Sequence, residues 1–205
     1  MRRVAFTLGL LLLASMLPVV TRADTMQITN HFGTVRILST GITSTGSELW
    51  NFNGIQAGKG HSLGIVSFAT GALSSGSIWT GGTFSSAGSS FLMIGRGSAG
   101  QPKGTIFSGA FEGPISWTLE SYINHIHEYE LTGKIAGQLW NGHEVTGTTT
   151  QTIYTYWNQE KVDHVGNIHL GVTKFAATPE PGTLGLLGTG LVAIAGLLRR
   201  KVARP

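Results

Sequence analysis

The sequence predicts an all-β chain, an antiparallel β-sandwich or jelly roll of about ten strands filling residues 24–178, flanked by an N-terminal signal peptide and a C-terminal single transmembrane helix. Three observations support the β domain. Glycine makes up 24 of its residues, about twice ordinary usage, a content that helices tolerate poorly and that turns and bulges exploit. Serine, threonine and aromatic side chains supply much of the remainder, which is strand chemistry. Short apolar or alternating runs recur between Gly, Ser, Asn and Pro, and no convincing amphipathic helical period interrupts them.

The runs are Thr34 to Ser39, Glu48 to Ile55, Ser62 to Ala69, Ser77 to Ser85, Ser90 to Ile94, Thr105 to Phe111, Ile115 to Leu119, His127 to Leu139, Val145 to Trp157 and Asn167 to Phe175. Strands at this spacing, with no long helical stretch between them, favour antiparallel layers over a βα fold. The alternation is clearest from His127 to Leu139. One face carries Tyr129, Leu131, Ile135 and Leu139, and the other carries Glu128, Glu130, Thr132, Lys134 and Gln138, as a sheet with one wet side requires. Val145 to Trp157 is rich in threonine, so its buried face is less defined. Gly71 to Ser90 approaches low complexity, yet Ile78, Trp79 and Phe84 recur regularly enough to favour strands joined by tight turns over a linker.

The two ends read differently from the domain. Residues 1–23 have the layout of a signal peptide, with Arg2 and Arg3, an apolar stretch from Val4 to Val20, and Thr21-Arg22-Ala23 before a cleavage point expected at Asp24. Residues 179–205 begin with Pro179, Glu180 and Pro181, which hold the chain extended because proline lacks an N–H and restricts its predecessor. Residues 182–198 carry no charge and, at 1.5 Å per residue, form a helix of roughly 26 Å, enough for a thin hydrocarbon core. Arg199, Arg200 and Lys201 then stop translocation and stay cytoplasmic.

Half of the 14 basic residues lie in these end segments, so the +4 formal charge belongs to the ends. The domain itself carries 7 Lys/Arg against 9 Asp/Glu. Nucleic-acid binding needs basic residues gathered on the working domain, and is set aside. The absence of cysteine excludes thiolate nucleophiles, Cys-ligated zinc and disulfides together.

Thr178-Pro-Glu-Pro-Gly-Thr-Leu-Gly-Leu-Leu, the apolar helix and Arg-Arg-Lys closely resemble the PEP-CTERM sorting signal. The resemblance covers only the last 27 residues or so. It implies recognition by an exosortase, a cysteine-dependent membrane transpeptidase of Gram-negative bacteria that make exopolysaccharide. It further implies transient anchoring in the inner membrane, cleavage near Pro-Glu-Pro and transfer to the cell surface or matrix. It is silent on what the domain does there.

Candidate chemistry inside the domain is thin. Gly95-Arg-Gly97-Ser-Ala-Gly100 fits a dinucleotide-binding pattern but runs into Pro102 and Gly104 rather than a helix, so a turn is expected. His125 and His127, with Glu128, His164 and His169, form the set a Zn²⁺ or Ni²⁺ ion would draw on, without a supporting spacing. No metal or cofactor is expected. Glu112, Glu120, Glu128, Glu130 and Glu144 offer carboxylates for polysaccharide hydrolysis, yet nothing selects a pair. No Gly-x-Ser-x-Gly elbow occurs either, and no enzymatic activity is expected.

The expected role is therefore structural or adhesive in an exopolysaccharide setting. A carbohydrate-binding module is the alternative, and a polymer hydrolase a second. For sugar stacking, Trp140 and Trp157 are the candidates, since both sit where strands turn, beside Asn141, Asn158 and Gln159. Trp117 is expected in the core.

Overall fold

A computed structural model describes residues 25–156, 164–177 and Gly190. Of these, residues 25–156 and 164–177 belong to one compact unit. It contains eleven strands: β1 (Thr25–Leu38), β2 (Gly41–Phe52), β3 (Ile55–Gln56), β4 (Gly64–Ala69), β5 (Leu73–Ser77), β6 (Gly81–Phe84), β7 (Ser90–Arg96), β8 (Lys103–Ile123), β9 (Ile126–Leu139), β10 (Glu144–Tyr156) and β11 (His164–Ala177).

The all-β antiparallel expectation holds, and the sandwich or jelly roll does not. Eight strands pair in the ring β1-β2-β4-β7-β8-β9-β10-β11, and β11 pairs back onto β1, giving a closed up-and-down barrel. Two packed sheets would leave open edges, whereas the β8–β9 and β1–β11 ladders close the ring and remove them. The sequence could not separate the two folds, because in both of them strands alternate one buried and one wet face. The three remaining strands are appendages: β3 pairs with β2, and the β5–β6 hairpin lies against the second half of β8.

Long strands must bend to close a ring, and bulges supply the bend. In β1 the register slips on both sides of Phe32, where Phe32 and Gly33 have φ of 62° and 77°. A side chain at Gly33 would meet the backbone of Ser47 at 2.5 Å, so glycine is needed for the approach as well as the conformation. In β8 the register slips between Glu112 and Ser116, with Gly113 at φ 70° followed by Pro114. Proline cannot donate to a ladder and is tolerated at a bulge. The expected separate strands Thr105–Phe111 and Ile115–Leu119 are thus one 21-residue strand, kinked at this point. Upstream of the kink β8 pairs with β7, and downstream with β6.

The barrel interior is filled. Phe68, Phe91, Phe107, Phe111 and Phe175 are all buried. Phe68 stacks on Phe91 at 5.8 Å, and Phe107 meets Phe175 at 4.7 Å. Tyr129, Leu131 and Ile135 point inward as the β9 alternation predicts, with Lys134 and Gln138 outside.

One polar belt crosses this core. Asn30 Nδ2 donates to Ser47 Oγ (2.8 Å) and to Gln151 Oε1 (3.0 Å), Gln151 Nε2 donates to Thr149 Oγ1 (2.8 Å), and Thr149 Oγ1 lies 2.9 Å from Thr173 Oγ1. Each of these side chains is buried, and each has a partner, as buried polar groups require.

Thr25 lies opposite Ala176, so the first and last strand ends of the barrel share one end with the β9–β10 turn. The β5–β6 hairpin and the β8–β9 turn mark the other end.

Candidate functional site

Past its kink, β8 continues with β9 beyond the reach of β7, and the inward face of this extension is aromatic. On β9 the period of two puts His127, Tyr129 and Leu131 on that face. On β8 it puts Trp117 and Leu119 there, opposite Leu131 and Tyr129. A further register slip between Leu119 and Ser121 then shifts the parity, so that Tyr122 pairs with His127 and joins the same face. Asn124 and His125, both at positive φ, close the strands in a two-residue turn of the primed kind.

The result is a ladder of near-parallel rings. Trp117 stacks on Tyr129 at 4.3 Å and 10°, Tyr129 faces His127 at 6.0 Å and 14°, and His127 stacks on Tyr122 at 4.2 Å and 29°. Phe84 of β6 packs its edge on Trp117. The buried rings also fix the β5–β6 turn: Trp117 Nε1 donates to the Ile78 carbonyl and Tyr129 Oη to the Trp79 carbonyl, each at 2.9 Å. The Trp79 N–H donates to Ser77 Oγ at 3.0 Å. Burial pushes the Tyr129 phenol well above its ordinary pKa, so it stays a donor throughout the physiological range.

Between that turn and the end of the ladder lies a cleft of about 420 Å³, lined by Trp79, Thr80, Leu119, Tyr122 and His127. Trp79 is 38% exposed and Tyr122 is 56% exposed. Burial lowers the His127 pKa below 6.5. In the unfolded chain this ring takes up a proton first as the pH falls, so its contribution to stability is complete above about 6.5 and declines below it. The urea midpoint, followed from about pH 7.5 to about pH 5, is expected to fall more steeply in the native protein than in a His127→Phe variant that keeps the ring.

A groove of similar size lies on the outer barrel wall, among Glu112, Lys134, Thr148 and Lys174. These four occupy one register row across β8, β9, β10 and β11. A separate exposed cluster joins His31, Phe32 and Trp50, with Trp50 edge-on to both of the others. Phe32, at the β1 bulge, is 54% exposed.

The residues singled out in the sequence are scattered. Trp140 is 48% exposed on the β9–β10 turn, its ring edge-on to Phe52 at 6.0 Å. It lies at the opposite end from the cleft. The Asn141 side chain accepts from the His143 N–H within that turn. Trp157 lies outside the described residues, as do Asn158, Gln159, Pro179, Glu180, Pro181, Arg199, Arg200 and Lys201, the signal peptide, and all of the expected helix 182–198 except Gly190.

Trp117 is buried, as expected. Gly95–Gly100 runs from β7 into the turn before β8, with no helix after it. His127 and His169 stack on different tyrosines, Tyr122 and Tyr154. Among the described residues no three His, Asp or Glu side chains converge to hold a metal ion. Tyr122 carries no signal in the sequence, because its place depends on the slip at Glu120. Trp79 is visible there as a recurring aromatic, but the hairpin that aims it is not.

No curated protein and no solved structure matches the chain. A family model does match its C-terminal segment: residues 177–201 fit the PEP-CTERM protein-sorting motif. The match begins at the last residue of β11 and takes in Pro179, Glu180, Pro181 and the basic cluster Arg199-Arg200-Lys201. The chain thus carries a PEP-CTERM sorting motif directly after its last strand in sequence, the mark of an exported protein handed to an exosortase.

Proposed function

We propose that the chain is a non-enzymatic surface or matrix protein with a structural or adhesive role. Residues 1–23 direct export, the charge-free segment 182–198 holds the precursor in the inner membrane with Arg199, Arg200 and Lys201 on the cytoplasmic side, and an exosortase removes the tail near Pro179-Glu180-Pro181. The barrel is then displayed at the cell surface or in the exopolysaccharide matrix. The family match at residues 177–201 is the observation that supports this reading. A closed barrel, with its interior filled by phenylalanine and aliphatic side chains and its ring edges paired, suits a domain that must persist outside the cell without disulfides.

The test is maturation. Expressed in a host that has an exosortase, the chain is expected to lose the mass of the residues beyond the Pro-Glu-Pro motif. With Pro179, Glu180 and Pro181 all replaced by alanine, unshortened precursor is expected to accumulate in the membrane fraction. Normal shortening of that variant, measured by intact-mass spectrometry, would remove the sorting assignment.

A second reading, a carbohydrate-binding module, is favoured by the aromatic cleft. It opens at the end of the barrel away from Ala177, where the tail is attached. Gly137 on β9 is level with Val145 and, through it, with Ala177. His127 is ten residues further along β9, about 33 Å at the strand rise.

A further inference from the structure

We propose that the cleft formed by Trp79, Thr80, Leu119, Tyr122 and His127 is a binding site for neutral polysaccharide chains, taking a sugar ring against its aromatic walls. The proposal rests on the carbohydrate-binding reading and gives it a site, distinct from Trp140.

The chemistry of the lining selects the ligand class. A pyranose ring offers apolar C–H faces and a rim of hydroxyls, and the complementary surface is an aromatic face beside a few polar groups. Trp79 and Tyr122 supply partly exposed rings. The Thr80 hydroxyl and the Tyr122 phenol supply polar atoms that both donate and accept. The volume lies within the roughly 300–1,000 Å³ range of small-ligand pockets.

Among the described residues the lining carries no carboxylate, lysine or arginine, and burial disfavours the charged form of its histidine, His127. Two carboxylates adjoin lining residues in sequence: Glu120 is exposed at the β8 slip, and Glu128 alternates to the other face of β9 and accepts from Ser121 Oγ at 3.0 Å. A uronate or phosphate would find no lysine or arginine among the described lining residues. A lipid tail would gain nothing from the hydroxyls.

The walls are also set before any ligand arrives. Two buried donors, Trp117 Nε1 and Tyr129 Oη, hold consecutive carbonyls of the turn that presents Trp79. His127, stacked between Tyr129 and Tyr122, fixes the opposite wall. Ordering both walls in advance lowers the entropic cost of binding.

The test is co-sedimentation of the full-length chain, in detergent, with three insoluble neutral polysaccharides: cellulose, chitin and curdlan. Retention on at least one is expected. Trp79→Ala and Tyr122→Ala are each expected to weaken it roughly tenfold or more, while Trp140→Ala stays within about twofold of the native protein. Soluble neutral oligosaccharide of the same linkage is expected to release the protein, and alginate is not. Tyr122 is exposed, so its alanine variant keeps the barrel, which far-UV circular dichroism checks.

Loss of retention in Trp140→Ala with both cleft variants unaffected would overturn the site and leave the carbohydrate-binding reading standing. Retention on none of the three polymers would overturn both. Release by alginate alone would overturn the neutral class. None of these outcomes bears on tail removal, which is measured separately.

Discussion

Trp117→Ala lowers the unfolding free energy by about 3–5 kcal/mol, the usual cost of truncating a fully buried tryptophan. The indole stacks on Tyr129, meets the edge of Phe84 and donates to the Ile78 carbonyl, so three elements lose their common support at once. Trp117→Phe separates the two contributions. It keeps an aromatic ring in the ladder but leaves that carbonyl without its donor, and is expected to cost about 1–3 kcal/mol.

The damage should also have a place. The β5–β6 hairpin is held by its ladder with the second half of β8, by the ring contacts of Phe84 and Trp117, and by the two hydrogen bonds at its turn. It is not a member of the closed ring. Amide exchange in Trp117→Ala is therefore expected to accelerate first across Leu73–Phe84, while β1, β2, β10 and β11 remain protected. Urea denaturation gives the global loss and hydrogen exchange gives its location. A global loss below about 1 kcal/mol would mean that Trp117 does not hold the hairpin to the barrel.

What the sequence disclosed and what it withheld divide along a physical line. Local alternation is encoded within a strand, and the inward set Tyr129, Leu131 and Ile135 was legible because each lies two or four residues from the next. Gly113-Pro114 was legible as a break and misleading as a boundary. A bulge and a strand end use the same residues, and only the continuous ladder with β9 distinguishes them.

Closure depends on β8 meeting β9 and β11 meeting β1, and the second of these pairs the two extremities of the domain. No window of sequence contains that information. The cleft fails to show for a related reason. Trp79 and Tyr122 are more than forty residues apart, and Tyr122 faces Trp79 only because the slip near Glu120 reverses the parity of β8. The sorting motif is the opposite case. A processing enzyme reads it as a linear segment, so it is complete in the sequence.

Gly171→Ala is expected to cost about 2–5 kcal/mol, although on general grounds alanine should suit a strand better than glycine by about 0.5–1 kcal/mol. The reversal comes from the polar belt. Gly171 sits on β11 directly between Asn30 of β1 and Gln151 of β10. Two strand spacings, roughly 10 Å, separate the backbones of those outer residues. Their amides nevertheless bond at 3.0 Å, because nothing stands on β11 beneath them. A methyl group at position 171 would overlap Asn30 Oδ1 and Gln151 Oε1 together. It would part the pair, and with it the link through which Ser47, Thr149 and Thr173 are joined into one network.

Parted in a dry interior, each amide keeps the cost of desolvation without its partner, and that cost exceeds any gain in strand propensity. Relief should come from removing one of the overlapped groups. Asn30→Ala combined with Gly171→Ala is expected to cost less than the sum of the two single substitutions, by at least about 0.5 kcal/mol, since each disrupts the same bond. Strict additivity in urea denaturation would show that the glycine at 171 serves the backbone of β11 and not the crossing of the two amides above it.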